Sequence, residues 1–225
     1  MRFLITAGPT REPIDPVRYI SNRSSGKMGY AIAEAAVAEG HHVTLISGPV
    51  NLEAPRDAQL ISVLTSDEMF EAVHRHADGR DICVLCAAVA DYKPASVSPT
   101  KIKKRDEKFS LEVIPTRDIL DSLGQQQDRQ FILVGFAAET DHVEENAMKK
   151  LREKNCDIIV ANDVSSADSG MESDMNEVTI LFRNGEKEKI SRAPKRIIAR
   201  ELVKIFSKFA TKKFDKKNVV ITERT

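Results

Sequence analysis

Ser24, Ser25, Gly26 and Gly29 fall at the start of an alanine-rich segment, Met28–Glu39, that reads as a helix stopped by Gly40. That combination suits an anion. The first N–H groups of a helix have no partners within it, small residues leave them open, and the helix dipole adds positive character. The residues allow a bound phosphate or a simple helix cap. Two better-known phosphate loops do not fit. Gly8 and Gly26 stand 18 residues apart, so there is no G-x-G-x-x-G after the first strand. Ser21 and Met28 occupy the places where a P-loop needs Gly and Ser or Thr.

A second candidate lies downstream of Asp91. Lys93, Lys101, Lys103, Lys104 and Arg105 precede Phe109, with Pro94 and Pro99 breaking regular structure. Such a run is either a solvated surface or a basic flap, in which each ammonium neutralises phosphate oxygens as a point charge. Lys150 and Lys154, four apart on one helix face, could converge on the same ligand. No hydrolytic triad can be assembled. His41, His42, His74, His76 and His142 lie beside no nucleophile and read as surface residues. Cys83 and Cys86 form a C-x-x-C inside an apolar strand, where positions three apart face opposite ways, so they read as packing residues, as does Cys156. No cluster suggests a permanent metal site; a Mg²⁺ carried by a nucleotide needs few protein ligands.

These groups need elements that bring them together. Strands are expected at Phe3–Ala7, Val43–Ser47, Leu60–Leu64, Ile82–Ala88, Phe131–Phe136 and Asp157–Ala161, alternating with helices at Met28–Glu39, Glu68–His76 and Asp141–Lys154. Thr65 with Glu68 has the spacing of a capping box, and the third helix opens acidic and closes basic, as its dipole prefers. This alternation predicts an α/β fold with a Rossmann-like, mainly parallel sheet covered by helices on both faces. Residues 162–176 are polar and read as a loop. A C-terminal β-hairpin extension follows at about 177–190 through Asn184-Gly185, then a helix over Pro194–Phe209. One domain, 1–210, with a frayed basic tail over 211–225 is the organisation expected. In such a sheet ligands bind at the carboxyl ends of the strands. Gly8-Pro9-Thr10, Ser47-Gly48-Pro49, Ala90-Asp91-Tyr92, Ala137–Thr140 and Asn162-Asp163 would gather there.

Composition bounds the partners. The 225 residues carry 34 Lys+Arg against 34 Asp+Glu, so no net field draws the molecule to nucleic acid or anionic lipid. No stretch approaches the ~18 apolar residues of a membrane span, and the N-terminus has no signal-peptide core. A cytoplasmic protein without nucleic-acid or membrane partners is expected.

The motifs also carry a family resemblance. Gly8-Pro9-Thr10-Arg11-Glu12-Pro13-Ile14-Asp15-Pro16-Val17-Arg18-Tyr19-Ile20-Ser21-Asn22, continuing through Ser24-Ser25-Gly26-Lys27-Met28-Gly29, resembles phosphopantothenoylcysteine synthetase. So do Ala87–Tyr92, Lys101–Lys104, Gly135–Thr140 and Ala161–Asp163, in collinear order over nearly the whole chain. The resemblance implies joining of 4′-phosphopantothenate to cysteine in coenzyme A biosynthesis, with CTP and Mg²⁺. The substrate carboxylate attacks the α-phosphate, pyrophosphate leaves, and the cysteine amine displaces CMP from the acyl-cytidylate. It further implies roles by position. Asn22 would stabilise or orient the acyl-cytidylate, and Lys101 would hold the triphosphate. Leu85, Cys86, Ala87, Asp91, Arg117, Asp118, Ile119, Leu120, Phe136, Lys150 and Lys154 would bind CTP. Gly8, Ser24, Gly26, Gly29 and Asn162 would bind phosphopantothenate. Arg117 departs from the Pro that relatives often carry. Family members are typically dimers, with the hairpin edge one candidate for pairing, and in many bacteria the domain is fused behind a decarboxylase. A stand-alone synthetase and an excised domain both fit a chain that begins at the first strand. The rivals are a nicotinamide-dependent reductase, disfavoured by the missing glycine fingerprint, and a non-enzymatic nucleotide-binding regulator.

Overall fold

Five strands are apolar nearly throughout, and each is buried on both sides: β1 (Arg2–Ala7), β4 (His42–Ser47), β6 (Ile82–Leu85), β9 (Ile132–Glu139) and β10 (Ile158–Asp163). The computed structural model describes residues 1–104, 106, 108–139, 141–163 and 173–222, without the side chains of 139, 163 and 216–222. With β5 (Ala58–Ser62) the central strands form a parallel sheet ordered β5-β4-β1-β6-β9-β10. β11 (Met175–Phe182) and β12 (Lys187–Pro194) extend it antiparallel beyond β10. The order reverses between β1 and β6, the switch point at which a crevice opens in doubly wound sheets.

Side-chain alternation splits the core in two. Phe3 and Ile5 point to one face, under α1 (Lys27–Ala38) and α5 (Lys195–Thr222), with Ile32, Ile198 and Phe206. Leu4 and Leu133 point to the other, under α2 (Ser66–Ala77), α3 (Ile119–Gly124) and α4 (Val143–Glu153). Each fully buried Phe, Leu or Ile stabilises by about 1.5–3 kcal/mol relative to exposure. Cys83 and Cys156 pack in the second core, whereas Cys86 packs against the first, so the C-x-x-C is indeed divided between faces. Burial pushes the Cys86 and Cys156 thiols up to about 12.

Several elements differ from expectation. β6 ends at Leu85, not Ala88, because Thr6 takes over the next N–H groups, as described below. The hairpin spans Met175–Pro194 and turns through three residues, Arg183–Gly185, with Gly185 at φ 89 where a left-handed residue is needed. α3 is six residues long, too short to show a helical period. Two small antiparallel arms arise where loops were expected: β2 (Arg11–Pro13) with β3 (Tyr19–Ser21), and β7 (Tyr92–Pro94) with β8 (Val113–Pro115). His41 and His74 are not plain surface residues. Each bridges elements, His41 to Ser207 and His74 to Ser122.

The expected tail over 211–225 is also corrected, since α5 continues to Thr222. Lys213 Nζ lies 2.6 Å from Asp157, whose other oxygen accepts from Arg129 at 2.9 Å and from the Leu133 N–H at 2.9 Å. Asp157 and Arg129 are almost fully buried. Removing one member of such a pair leaves the other charged and desolvated, a loss of about 3–5 kcal/mol. Asp157→Ala should therefore destabilise by about that much in urea unfolding, whereas Lys213→Ala, whose partner keeps Arg129, should cost about 1 kcal/mol or less.

Candidate active site

A cleft of about 510 Å³ lies over the carboxyl ends of β1, β6, β9 and β10. Its centre is the segment after β6, residues 86–91, which is fixed on every side. The Thr6 hydroxyl accepts from the N–H groups of Cys86 and Ala87, both at 3.1 Å, and bends the chain out of the sheet. Ala88 N–H donates to Gly8 O at 2.9 Å, and Ala90 N–H to the Thr10 hydroxyl at 3.0 Å. Thr116 donates its hydroxyl to Ala90 O at 2.7 Å and its N–H to Asp91 O at 2.9 Å. Asn22 closes the set, with Nδ2 donating to Ala88 O at 3.0 Å and to Val89 O at 3.1 Å. Both amide hydrogens are engaged, so the carboxamide oxygen is what Asn22 has left to offer a ligand.

One end of the cleft is built for an anion. The N-cap of α1 is Gly26, at φ 75, which has no side chain to cap the helix, and its own N–H donates to the Ser24 hydroxyl at 3.3 Å. Gly29 lets the helix press against β1, since a Cβ there would meet that of Ala7 at 2.6 Å. Ser24, Gly26 and Gly29 line the cleft; Gly8 does not, and lies beneath Gly26 as support. Asn162 lines it from β10, and its Oδ1 is buried with no partner among the described residues.

The other end gathers Asp91, Arg117, Asp118, Ile119, Leu120, Phe136 and Lys150, with Leu85, Cys86 and Ala87 on the floor. Lys150 Nζ donates to Phe136 O at 3.0 Å. Asp118 caps α3 by accepting from Asp121 N–H at 2.8 Å. The Arg117 guanidinium lies 3.8 Å from the centroid of Phe70 and 2.7 Å from Glu71, so it faces α2 more than a ligand. Lys154 stands outside the lining. Its ammonium is held 3.1 Å from Asp118 and 3.6 Å from Asp121, and Asp118 pushes its pKa up.

Lys101 also lies outside the cleft, exposed in the loop that joins β7 to β8. Its neighbour Ile102 is fastened: its N–H donates to Asp15 at 3.1 Å, and its carbonyl accepts from Arg18 at 2.8 Å. Asp15 is buried and also accepts from the Val17 and Arg18 N–H groups. The Arg18 guanidinium, 2.5 Å away, holds its carboxyl well below the usual carboxylate range. Both arms are tied in turn to the first turn of α2, through Glu12 to Ser66 N–H at 2.8 Å and through Lys93 to Asp67. Arg105 and Thr140 lie outside the described residues, as do Ser165, Ser166, Ser169 and Gly170 of the expected loop.

Thr6, Lys27, Asn176 and Lys195 line the cleft and were not singled out from sequence. A signal did exist for the lysines: each opens a helix with no acidic residue in its first turn. What sequence could not supply is that the hairpin returns α5 to the cleft.

The Asp15 anchor has a pH signature. A carboxyl with a depressed folded pKa stabilises above its unfolded value, near 3.9, and that contribution fades as pH falls below it. Asp15→Asn should lower the urea midpoint at pH 7, and the gap from wild type should narrow steadily between pH 5 and pH 2.5.

Comparison with known proteins places this architecture. The family model described as the DNA/pantothenate metabolism flavoprotein C-terminal domain matches residues 1–209. The coenzyme A biosynthesis bifunctional protein CoaBC of Bacillus subtilis (strain 168) is 52% identical over 188 residues, covering 83% of this chain and 46% of that protein. The chain thus spans about half the length of the curated relatives it matches. The crystal structure of the C-terminal domain of a CoaBC protein superposes with a TM-score of 0.79 at 44% identity, over 95% of this chain and 96% of that one. A mutant of Cab2 in complex with phosphopantothenate-cysteine shares the fold, with a TM-score of 0.76 at 17% identity over 96% of this chain and 88% of that one. The chain belongs to the family of the DNA/pantothenate metabolism flavoprotein C-terminal domain.

Proposed function

We propose that the chain is a phosphopantothenate–cysteine ligase of coenzyme A biosynthesis that uses CTP. The observation that carries this is the composition of the cleft along its length. An uncapped helix start suits a terminal phosphate, Asn22 sits over the fixed 86–91 segment midway, and the 117–120 corner with Phe136 and Lys150 suits a nucleotide.

The chemistry asks for little beyond positioning. The phosphopantothenate carboxylate attacks the α-phosphorus of CTP and pyrophosphate departs. The cysteine amine then attacks the acyl carbon and CMP leaves. Neither step needs a protein nucleophile; both concentrate charge on oxygens that fixed donors and cations stabilise. The Asn22 oxygen can orient the acyl-nucleotide or the incoming amine, while the two carbonyls hold its carboxamide plane. Lys101 would hold the triphosphate, and the fastened Ile102 beside it limits where its backbone can go. Mg²⁺ fits the donor set in a limited way. Among the described residues there is no cluster of three metal-ligating side chains, but Asp91 faces the cleft, and one carboxylate with triphosphate oxygens suits a hard cation.

A cytoplasmic location and a homodimer complete the proposal. No helix among the described residues is long and apolar enough to cross a membrane. The β12 edge suits pairing poorly, since Lys187, Glu188 and Lys189 are exposed along it and charges blunt an open edge. The arms are better suited to a second copy, with Val17, Tyr19, Tyr92, Phe109, Val113 and Ile114 exposed. A phosphopantothenoylcysteine decarboxylase, fused or separate, is the partner proposed from the bifunctional relatives.

Pyrophosphate release with phosphopantothenate and CTP, with ATP as comparison and with cysteine present or absent, tests the assignment. Release should require phosphopantothenate, and amide formation should require cysteine; no release under any combination overturns the reading. Lys101→Gln should lose about 100-fold or more in rate with unchanged circular dichroism; an unchanged rate would return the flap to ordinary surface.

A further inference from the structure

A row of cross-strand pairs runs along the face of β10 and β11 that packs under α1 and α5. Ile158 sits opposite Phe182, Val160 opposite Ile180 and Asn162 opposite Val178, with Asn176 one step further along that face of β11. The apolar row thus ends in two carboxamides, and both line the cleft. Between Asn176 and Val178 the pairing of β11 with β12 shifts by one residue, a bulge of the kind that re-aims a side chain beside a site. Each carboxamide has one end left over. Asn176 is 2% exposed, and its Oδ1 accepts from the Glu177 N–H at 2.9 Å, which leaves Nδ2 to donate elsewhere. The Asn162 Oδ1 is buried with no partner among the described residues. An apolar side chain at either place would simply extend the core, whereas a polar atom left unpaired there carries its whole desolvation penalty. Two adjacent strands therefore offer the cleft one donor and one acceptor.

We propose that Asn176 and Asn162 together read the α-hydroxy amide of the acyl substrate and set the enzyme's choice between its mirror-image forms. The proposal rests on the ligase assignment and deepens it, at a part of the substrate that neither reacts nor carries charge. In 4′-phosphopantothenate a hydroxyl stands on the carbon next to the amide carbonyl, so a donor and an acceptor lie side by side. Asn176 Nδ2 would donate to the carbonyl, and Asn162 Oδ1 would accept from the hydroxyl. The opposite arrangement is closed, because turning the Asn176 carboxamide over would set its NH2 against the Glu177 N–H. The hydroxyl-bearing carbon is the molecule's only stereocentre. Inverting it swings the hydroxyl away while the carbonyl stays bound, and Asn162 Oδ1 remains buried without a donor. A site built for a hydrogen bond rejects a molecule that fails to make it, even one of the same size and charge. The hairpin acquires a purpose on this basis, since β11 brings Asn176 alongside β10, the last parallel strand.

The test measures calorimetric binding and steady-state kinetics with both enantiomers of 4′-phosphopantothenate and with the analogue lacking the α-hydroxyl. Wild type is compared with Asn162→Ala, Asn176→Ala and Asn176→Asp. Wild type should prefer one enantiomer by about 10-fold or more over both the other and the deoxy analogue. Asn162→Ala should shrink that preference to within about threefold by weakening the preferred enantiomer alone. Asn176→Ala should weaken all three ligands about 10-fold, since each keeps its carbonyl. Asn176→Asp still accepts from the Glu177 N–H but offers oxygen where a donor is needed, so it should lose at least as much. The KM for CTP should stay within about twofold throughout. An undiminished preference in Asn162→Ala, or unchanged binding of all three ligands by Asn176→Ala, overturns the pair while the ligase assignment stands. Equal binding of the deoxy analogue and the preferred enantiomer by wild type overturns it without any variant. If wild type binds none of the three and releases no pyrophosphate with them, the assignment fails and the role of the pair fails with it.

Discussion

The structure turns on how the chain leaves β6. A parallel strand that simply continued would close the crevice at the switch point. Instead the Thr6 hydroxyl captures two successive N–H groups that the sheet would otherwise use, and the chain lifts away at Leu85. The exposed backbone after it is satisfied by Gly8, Thr10, Asn22 and Thr116. Each such bond contributes only about 1 kcal/mol net, but a buried group left without a partner costs about 1–3 kcal/mol. The set therefore acts as a lock: moving one member strands others. The β2–β3 arm, α1 and the 116–120 corner all take their places from it.

Charge is organised unevenly around that lock. At the Phe136 end Lys154 is compensated by Asp118 and Asp121, Arg117 by Asp67 and Glu71, and Lys93 by Asp67, while Lys150 donates to the Phe136 carbonyl. At the α1 end Lys27 pairs with the mostly exposed Asp174 at 2.6 Å. A molecule with 34 charges of each sign thus organises them locally rather than as a net field. A compensated cation can exchange partners with a ligand of similar charge at small cost.

The sheet was legible because its signal is the simplest available: apolar runs buried on both faces, alternating with amphipathic helices. β1, β4 and the α2 cap at Thr65 appear close to where the pattern puts them. The helix-start anion site was legible too, since Ser24, Gly26 and Gly29 declare an open helix start. The three-residue arms and α3 carry too few residues for periodicity to register, and they look like loop in any window. Lys154 was grouped with Lys150 because spacing reveals which side chains share a face, not which carboxylate reaches them first. Lys195 was missed for a topological reason. It lies 168 residues after Lys27, and no local pattern says that an antiparallel hairpin will fold back over a parallel sheet.

The rigidity of the cleft and the anchoring of the Lys101 loop beside its lysine fit one another. A reaction without a protein nucleophile gains from groups already held in place before substrate arrives. The lock provides that for Asn22, whose carboxamide cannot rotate without breaking two hydrogen bonds. On the proposed ligase reading Lys101 would have to admit a large polyanion and then approach it, which an equally rigid mount would prevent. Fastening Ile102 through Asp15 and Arg18 limits where that lysine can go while leaving its own side chain exposed. Asp15 suits the anchoring role because a carboxylate held by Arg18 and three N–H groups stays ionised well into acid. Fixed carboxamide and tethered cation are two answers to one demand, that charge meet the substrate without reorganising the fold around it.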